Sequence, residues 1–308
     1  MKKSFILIAL MACVAVCGVS CGSDDDNSSS KEITLKKTPY EEQAVSFIIS
    51  PSQSSNINKS KPGAPDMESI DISEDGDVII TLTSPDGGTS YSHTTVTSYN
   101  NNTYTLGNGR LQLLDTRANM TQSSVTIAFE ITINGVTYST DNLVVAALYA
   151  QYAFGSMESY LCRRWDVTGM RLTLTPQDGG TPAGLTWPNA NLANVSKELS
   201  SHSVNLTAAE KEQLNRTLSG IFIESSGRGF LYYGNDAYEV FTWNAITHVT
   251  ENGQVKFNFP GESGNKFFNE ASAITVSFEG NTCQLKLNCV LQGDKLYNTE
   301  FVLQLTAR

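Results

Sequence analysis

The strongest candidates for chemistry in this 308-residue sequence are aromatic side chains. Most of them fall between residues 232 and 243, and one tryptophan stands apart between Thr186 and Pro188. Aromatic faces stack on sugar rings and line apolar cavities, which points to recognition of a glycan or a small apolar molecule. The candidate ligand-binding residues are Trp187, Tyr232, Tyr238 and Trp243, with Tyr233 and Phe241 beside them. The alternative is core packing, which is favoured for the strand residues but not for Trp187, expected in a loop.

Titratable residues form no recognisable catalytic or metal-binding pattern. The three histidines, His93, His202 and His248, have no second histidine at metal-ligand spacing, and the G-x-S-x-G motif is absent. A glycosidase would need two carboxylates facing a cleft, and no pair stands out among 31 acidic residues. We therefore expect no catalytic residue, no metal site and no cofactor, and we do not expect an enzyme.

One acidic segment resembles the first half of a calcium-binding loop. In D-I-S-E-D-G-D, residues 71 to 77, oxygen-bearing side chains alternate and Gly76 stands where such a loop turns sharply. The twelfth position, however, is Leu82 instead of a bidentate glutamate, and both flanks alternate like strands. The segment is predicted to be a hairpin turn rather than a cation site.

The N-terminal residues have the features of a targeting signal. Lys2 and Lys3 precede an apolar run from Phe5 to Val16, too short for a membrane span of about 20 residues, so residues 1–20 predict an export signal. The residues before Cys21 are small, and those after it are polar. The stretch resembles the lipobox of bacterial lipoproteins, which implies processing at Cys21 and an N-terminal acyl anchor in outer-membrane lipid.

The acidic residues after Cys21 resemble the export tag of surface-exposed lipoproteins of the Bacteroidales. That resemblance implies delivery to the outer face of the outer membrane, and the alternative is an ordinary solvated linker. Residues 21–37 are expected to form an acidic and polar tether. The tag residues would be Ser23, Asp24, Asp25 and Asp26.

The charge balance narrows the range of partners. The formal net charge is −10, and removal of the signal would leave 19 basic against 31 acidic residues. Nucleic acid and anionic lipid surfaces are therefore not expected as partners. The expected partners are outer-membrane lipid, through the acyl anchor, and a glycan or small apolar ligand.

Hydrophobic patterning predicts a mainly β chain of two domains. Short alternating strands separated by turn residues, with a strong hairpin signal at Asn134-Gly135, predict a β-sandwich-like domain over residues 38–150. Residues 142–164 are expected to hold the interdomain connection and a short helix. The second domain is predicted over residues 155–308, and its strand count suits a barrel.

Two further helices are predicted within the second domain. In residues 191–201, Leu192, Val195 and Leu199 lie on one helical face, and Asn189 or Asn191 can cap the start. Thr207 and Glu210 form a capping box for the next helix, for which Gly220 supplies the stop.

The order of elements from residue 160 onwards resembles that of bacterial lipocalin-like domains. R-R-W-D-V-T-G-M-R-L, G-I-F-I-E-S-S-G-R-G-F-L-Y-Y, Y-E-V-F-T-W and N-G-Q-V-K-F follow one another in the sequence. They supply a tryptophan-bearing first strand, a phenylalanine strand, a glycine turn, a tryptophan strand and a terminal meander. The resemblance implies a lipocalin-like antiparallel β-barrel with the two helices inserted after its first strand, and such barrels commonly keep a central cavity.

Four cysteines would remain after processing: Cys21, Cys162, Cys283 and Cys289. Cys283 and Cys289 share one face of a predicted strand, and six residues of strand separate them by about 20 Å, beyond disulfide reach. Buried thiols are favoured over a bridge from either of them to Cys162, which stays open.

Three functions fit these features. A non-catalytic cell-surface lipoprotein that binds a glycan or small apolar ligand comes first, a structural or adhesive surface protein second, and a polysaccharide hydrolase third. Aromatic residues aligned at a barrel mouth would favour the first. A packed barrel and a long unpaired strand edge in the first domain would favour the second, and two carboxylates facing each other about 5 to 9 Å apart in a cleft would favour the third.

Overall fold

A computed structural model describes residues 33–115, 124–149, 152, 155–234, 237–247, 252–260 and 266–308. The predicted mainly β class is confirmed, since the strands in these ranges form two closed antiparallel barrels of eight strands each. The export signal, Cys21, the acidic tag Ser23 to Asp26 and His248 lie outside the described residues. Within the described ranges, no helix is both long enough and apolar enough to cross a membrane.

The first barrel is built from the N-terminal strands. Its strands are β1 (Val45–Ile48), β3 (Asp66–Ile72), β4 (Asp77–Thr83), β5 (Thr89–Asn100), β6 (Thr103–Leu106), β7 (Gly109–Leu113), β8 (Ser124–Ile133) and β9 (Val136–Tyr149). They pair in that order, and β1 closes the ring by pairing with β9. The short helix α1 (Pro51–Ser54) and strand β2 (Asn58–Lys59) lie between β1 and β3, and β2 pairs with β9.

Because its sheet closes on itself, the first domain is a barrel and not the sandwich that the sequence predicted. Strand β1 is bonded to β3 on one side and to the end of β9 on the other, so the sheet has no gap at which two layers could separate. The end of β9 also corrects the prediction that residues 142–164 hold the interdomain connection. Leu143, Val145 and Ala147 are buried at every second position, which is the period of a strand, so the strand runs on to Tyr149.

The hairpins predicted from turn residues are confirmed in the first barrel. Asn134 and Gly135 have φ angles of 50° and 73°, the left-handed pair that a type I′ turn requires between β8 and β9. The segment from Asp71 to Asp77 joins β3 to β4, and Gly76 turns with a φ of 83°.

The second barrel follows the short helix α2 (Met157–Leu161). Its strands are β10 (Arg164–Pro176), β12 (Gly220–Ile223), β13 (Arg228–Tyr233), β14 (Ala237–Thr247), β15 (Asn252–Asn258), β16 (Ile274–Glu279), β17 (Thr282–Gln292) and β18 (Leu296–Ala307). Each pairs with the next, and β10 closes the ring with β18. This is the eight-stranded antiparallel barrel that the resemblance implied.

An extra strand and two helices are inserted after β10. Strand β11 (Ala183–Trp187) pairs with the part of β10 that β12 leaves free. Helix α3 (Leu192–Ser201) begins at Asn191, whose side chain accepts the N–H of Ala193. Helix α4 (Ala208–Gln213) has the predicted capping box of Thr207 and Glu210. It ends well before Gly220, because Thr217 already pairs with Asn191 and Gly220 opens β12.

Large side chains fill both barrel interiors. In both cores, the inward-pointing faces of the strands contribute aromatic and aliphatic side chains. The largest buried side chains are Phe47, Met67, Tyr104 and Tyr138 in the first core and Trp165, Phe241, Phe257, Phe267, Phe268 and Phe301 in the second. Among the described residues, large buried side chains therefore occupy the interior of the second barrel, where the lipocalin resemblance implied a cavity. Cys162, Cys283 and Cys289 are free thiols, which confirms the prediction of no bridge among them. Cys162 and Cys283 are buried, whereas Cys289, also expected to be buried, is only partly so.

A short N-terminal segment packs against the second barrel. Residues 33–37, expected to be the end of the tether, include buried Leu35, which belongs to the second core. Ile33 pairs with Gly280, whose carbonyl accepts the N–H of Thr34 at 3.0 Å. The chain thus contacts the second barrel before it enters the first, and both barrels lie in one compact unit, Glu32–Arg308.

A helix extends beside β15 and β17 in the second barrel. Helix α5 (Lys266–Glu270) places Phe267 and Phe268 in the core, where the Phe267 ring stacks on Phe301 with centroids 4.3 Å apart. These contacts explain why so short a helix persists, since four or five residues have little helical stability of their own.

Candidate functional site

The two barrels meet along an apolar layer that belongs to neither core. Ile79 on β4 and Tyr91 on β5 contact Phe222, Phe230 and Tyr238 of the second barrel. The Tyr91 ring lies 5.6 Å from that of Tyr238 and 6.5 Å from that of Phe230. These side chains point outwards from their own barrels, so burying them requires the other barrel. We call this set the interface layer.

Two of the four candidate aromatic residues belong to this contact. Tyr232 and Tyr238 face each other across β13 and β14, with ring centroids 5.0 Å apart. The Arg164 guanidinium lies 5.5 Å from the Tyr232 ring. Both tyrosines therefore serve the packing between barrels rather than a barrel mouth.

The two candidate tryptophans lie elsewhere and apart from these tyrosines. Trp243 is in the second core, 4 % exposed, and its indole N–H donates to the Glu224 carbonyl at 2.8 Å. Trp187 ends β11 opposite Met170 and is half-buried against the same core, so the prediction of a loop position is wrong. The reason is that β10 extends beyond β12 and offers its free edge to residues 183–187.

The neighbouring aromatic candidates are buried as well. Tyr233 donates its hydroxyl to Glu239 at 2.9 Å, and Phe241 stacks on Phe257 with centroids 4.3 Å apart. Core packing, the alternative that the sequence favoured for strand aromatics, describes Tyr233, Phe241 and Trp243.

A cavity of about 560 Å³ opens between the barrels beside the interface layer. Most of its wall comes from β1, α1, β3, β4 and β5, and the second barrel contributes Arg228, Val240 and Pro260. Hydroxyl groups are frequent in the wall: those of Ser50, Ser54, Ser69, Thr81, Thr83, Thr89 and Tyr91. The apolar part of the wall includes Ile48, Ile49, Pro51 and Met67, and Asp66 and Glu68 add carboxylates. We call this cavity the cleft.

Strand register gives the cleft a closed end and a mouth. Ser69, Thr81 and Tyr91 are cross-strand neighbours on β3, β4 and β5, and Ser69 and Thr81 are buried. Two residues further along the strands, Thr83 pairs with exposed Thr89. Since two residues of strand cover about 7 Å, the wall passes from a buried end to solvent over a short distance.

Arg228 occupies the closed end. Its Nε lies 2.7 Å from Oδ1 of Asp71, a fully buried carboxylate, and its Nη2 donates to Ser69 Oγ at 3.3 Å. Burial lowers the pKa of Arg228, but the charges of Asp71 and Glu224 outweigh that effect and raise it, so the guanidinium is charged. The pair joins β13 of the second barrel to β3 of the first.

Two buried glutamates continue this polar network behind the cleft. Glu224 accepts hydrogen bonds from Ser46 and Ser226 hydroxyls at 3.1 and 3.3 Å. Glu74 accepts the Ser225 N–H at 2.9 Å and also the Ser225 hydroxyl. Among the described residues, Oε2 of Glu74 and Oε1 of Glu224 are buried without a hydrogen-bond partner.

Burial shifts the protonation of both glutamates. Loss of hydration raises the pKa of Glu74 to about 7, although the Ser225 hydrogen bonds oppose the shift. Loss of hydration also raises the pKa of Glu224 well above its usual range, and the negative charges of Asp71 and Glu74 raise it further. A carboxyl that titrates near pH 7 could serve as a general acid, but both side chains are sealed within the interface. The cluster therefore joins the barrels and does not face a substrate.

The acidic side chains of the calcium-like segment form ion pairs and hydrogen bonds within the protein. Asp71 binds Arg228, and Asp75 accepts the Arg164 N–H at 2.6 Å. Asp77 lies 2.7 Å from His93 and 3.4 Å from Arg164. Burial acts to raise the pKa of Asp77, but the His93 hydrogen bond and the Arg164 charge lower it overall. In the part of the chain that the structure describes, no three His, Cys, Asp or Glu side chains are placed to hold a metal ion.

The residues at the closed end of the cleft were not predicted as a site from the sequence, in which Asp71 stood out only as part of the calcium-like segment. Ser69, Asp71 and Thr81 lie on the outward faces of β3 and β4, yet they are buried. The sequence signal that could have identified these residues is the presence of polar residues within otherwise apolar strands. Nothing local to β3 indicates that Arg228, more than 150 residues later, supplies the partner of Asp71.

Known proteins offer no guide to this arrangement. Comparison of the chain with protein-family models, with curated proteins and with solved structures found no match in any of the three. The function inferred below therefore rests on the cleft, on its side chains and on the N-terminal sequence.

Proposed function

We propose that this protein is a non-catalytic cell-surface lipoprotein that binds a small ligand, a glycan or an apolar molecule, in the cleft between its two barrels. The observation that carries the proposal is the cleft itself. Its volume of about 560 Å³ is within the range of about 300 to 1,000 Å³ typical of ligand sites. Such sites favour domain junctions and combine apolar walls with a few polar groups, as this cleft does.

The architecture favours a preformed site. Both barrels are closed and their cores are packed, so the cleft walls on β3, β4 and β5 are fixed by hydrogen bonds on both strand edges. The Arg228–Asp71 pair fixes the second barrel against the first. Binding to walls that are already ordered avoids the entropic cost of ordering them.

The N-terminal sequence supports the surface location. An export signal over residues 1–20, a lipobox-like stretch at Cys21 and the acidic tag Ser23 to Asp26 fit a lipoprotein held by acyl chains in the outer membrane and facing the exterior. The same residues support membership of the Bacteroidales surface lipoproteins, and the element order after residue 160 supports a lipocalin-like second domain. In this proposal, the residues between Cys21 and Ile33 join the anchor to the barrels.

The two alternatives have less support. An adhesive protein that binds by strand addition would need a long free strand edge. The described sheets end only in β2 and β11, which are two and five residues long. For a hydrolase, one carboxyl in the cleft should have a raised pKa. Hydrogen bonding to Lys59 instead lowers the pKa of Asp66, which keeps this carboxylate ionised.

A ligand panel with a cleft-blocking variant tests the proposal. Lipid-free protein that starts after Cys21 would be heated with neutral and acidic oligosaccharides, bile salts and fatty acids. A ligand at 100 times its Kd stabilises the folded state by about 2.7 kcal/mol, a readable change in Tm. Thr83→Trp, which places an indole in the cleft, should abolish that change.

The matched control is Thr105→Trp, an exposed position on β6 outside the cleft wall. This variant should respond to ligand like the unmodified protein. No response to any ligand class, or equal responses in Thr83→Trp and Thr105→Trp, would contradict binding in the cleft.

A further inference from the structure

We propose that the ligand of the cleft is a neutral glycan, and that Arg228 and Tyr91 hold one of its hydroxyl groups at the closed end. This inference rests on the proposed function, because it names the chemical class that the same cleft accepts. It is carried by three features: free hydrogen-bonding groups, local charge and the composition of the wall.

The free hydrogen-bonding groups come from different barrels, and both residues line the cleft. Arg228 Nε lies 2.7 Å from Asp71 Oδ1 as an ion pair, and Nη2 donates to Ser69 and Asp71. Its Nη1 has no hydrogen bond to any described residue. The Tyr91 hydroxyl likewise has none among the described residues, while its ring is held by Phe230 and Tyr238. Burial raises the pKa of Tyr91, so its hydroxyl stays protonated at neutral pH and can donate.

An apolar ligand would leave these two groups without partners. Covering a polar group with hydrocarbon removes its water and supplies no hydrogen bond in return, which is unfavourable. A ligand with an oxygen at this point can accept from Arg228 Nη1 and both accept from and donate to Tyr91. A sugar hydroxyl has both capacities.

Local charge favours a neutral ligand over an anionic one. Asp71 already pairs with Arg228, so a second carboxylate at the closed end would share a single guanidinium with a buried acid. Asp66 and Glu68 line the cleft towards its mouth. Asp66 is paired with Lys59, so Glu68 is the carboxylate that would repel an anion on its way in. The chain as a whole has a net charge of −10, which adds to the effect.

The wall suits a ring that has both hydroxyl groups and an apolar face. Thr81 and Thr83, two residues and about 7 Å apart along β4, contribute hydroxyl-bearing side chains to the wall, and Thr89 contributes another from β5. Val240 and Pro260 contribute apolar surface from the second barrel. Sugar rings combine hydroxyl edges with C–H faces, so both kinds of surface are used.

The test compares glycan binding by Tyr91→Phe with that by Tyr99→Phe. Lipid-free protein would be applied to an array of neutral, uronate-containing, sialylated and sulfated glycans, and hits would be measured by calorimetry beside decanoate and 1-decanol. We expect neutral glycans to bind. Tyr91→Phe removes only a hydroxyl and keeps the ring contacts, so its affinity should fall about 3- to 10-fold, as for loss of one hydrogen bond.

Tyr99→Phe makes the same change on the same strand, away from the cleft, where the hydroxyl contacts Asn102 at 3.4 Å. Its affinity should equal that of the unmodified protein. Equal affinity in Tyr91→Phe would overturn the role of the closed end. Binding of only acidic glycans, decanoate or decanol, lost in Thr83→Trp, would overturn the neutral class but keep the cleft as the site. Failure of every probe, or binding that Thr83→Trp leaves unchanged, would overturn the proposed function as well.

Discussion

At the scale of single residues, the buried carboxyls Glu74 and Glu224 are costly to ionise and are nevertheless central to the interface. Desolvation acts against their charged forms, and the hydroxyl and amide donors around them offset part of that cost. Glu74 has a pKa of about 7, against an ordinary value of 4.5. Proton binding by this group should therefore be linked to folding.

Glu74→Gln should change how stability depends on pH. In the native protein a raised carboxyl pKa means that the folded state binds the proton more tightly, so the associated stability is present at low pH and is lost as pH rises from about 4.5 through 7. A shift of this size is worth about 3 kcal/mol. The variant cannot ionise, so its free energy of unfolding relative to the unmodified protein should rise by up to that amount between pH 5 and pH 8, measured by urea unfolding.

Glu42→Gln is the matched control, because Glu42 is exposed and paired with Lys37 at the surface. Its stability should follow the pH dependence of the unmodified protein. If Glu74→Gln also followed that dependence, Glu74 would not be the group that links folding to pH.

At the scale of elements, a small residue on one strand of the second barrel leaves room for a large side chain on the neighbouring strand. Gly229 on β13 pairs with Phe241 on β14, and the Phe241 ring covers the space where a side chain would stand. A Cβ at residue 229 would lie 2.3 Å from Cζ of Phe241 and 2.9 Å from the carbonyl oxygen of Phe222. The glycine is therefore required by close approach rather than by a turn.

Gly229→Ala should destabilise the protein by about 1 to 3 kcal/mol, the usual cost of overpacking. The measurement is the midpoint of urea unfolding. Gly184→Ala is the control, since a Cβ on β11 would have only Thr173 Oγ1 nearby, at 3.8 Å, and should change stability little. Similar midpoints for the two variants would show that Phe241 can move aside without cost.

At the scale of the whole molecule, the interface layer should make the two barrels unfold together. Ile79, Phe222 and Phe230 are buried only because the barrels touch, and separating the barrels would expose them with the buried carboxyls. All three tryptophans, Trp165, Trp187 and Trp243, lie in the second barrel. Tryptophan fluorescence therefore follows that barrel alone, while far-UV circular dichroism follows both.

Ile79→Arg should uncouple the barrels by placing a charge in the interface layer. In the unmodified protein the two signals should give one coincident urea transition, as a cooperative unit does. In the variant, the fluorescence and dichroism transitions should separate. Val144→Arg, at a position on β9 that is 54 % exposed, should leave them coincident. Separate transitions in the unmodified protein would contradict cooperative unfolding.

What could be predicted at the level of elements depended on local chemistry. The turn at Asn134-Gly135 and the capping box of Thr207 and Glu210 need only neighbouring residues, and both are present as predicted. The end of β9 was not predicted because the aromatic and small residues that follow it obscure the alternating pattern. Its partner, β1, also lies about 100 residues earlier in the chain.

By itself, the sequence determined the mainly β class, the hairpins and the helix caps, and it predicts the export signal at the N-terminus. Alternation, turn residues and caps act over a few residues, so they can be recognised without a fold. Only the tertiary structure decided that the first domain closes into a barrel, that Trp243 lies in a core and that Tyr91 and Arg228 line the same cleft. The physical reason is that outward-facing residues such as Ile79 and Phe230 follow the same alternating pattern as strand residues that face solvent. Whether such residues meet solvent or another barrel depends on packing between distant segments.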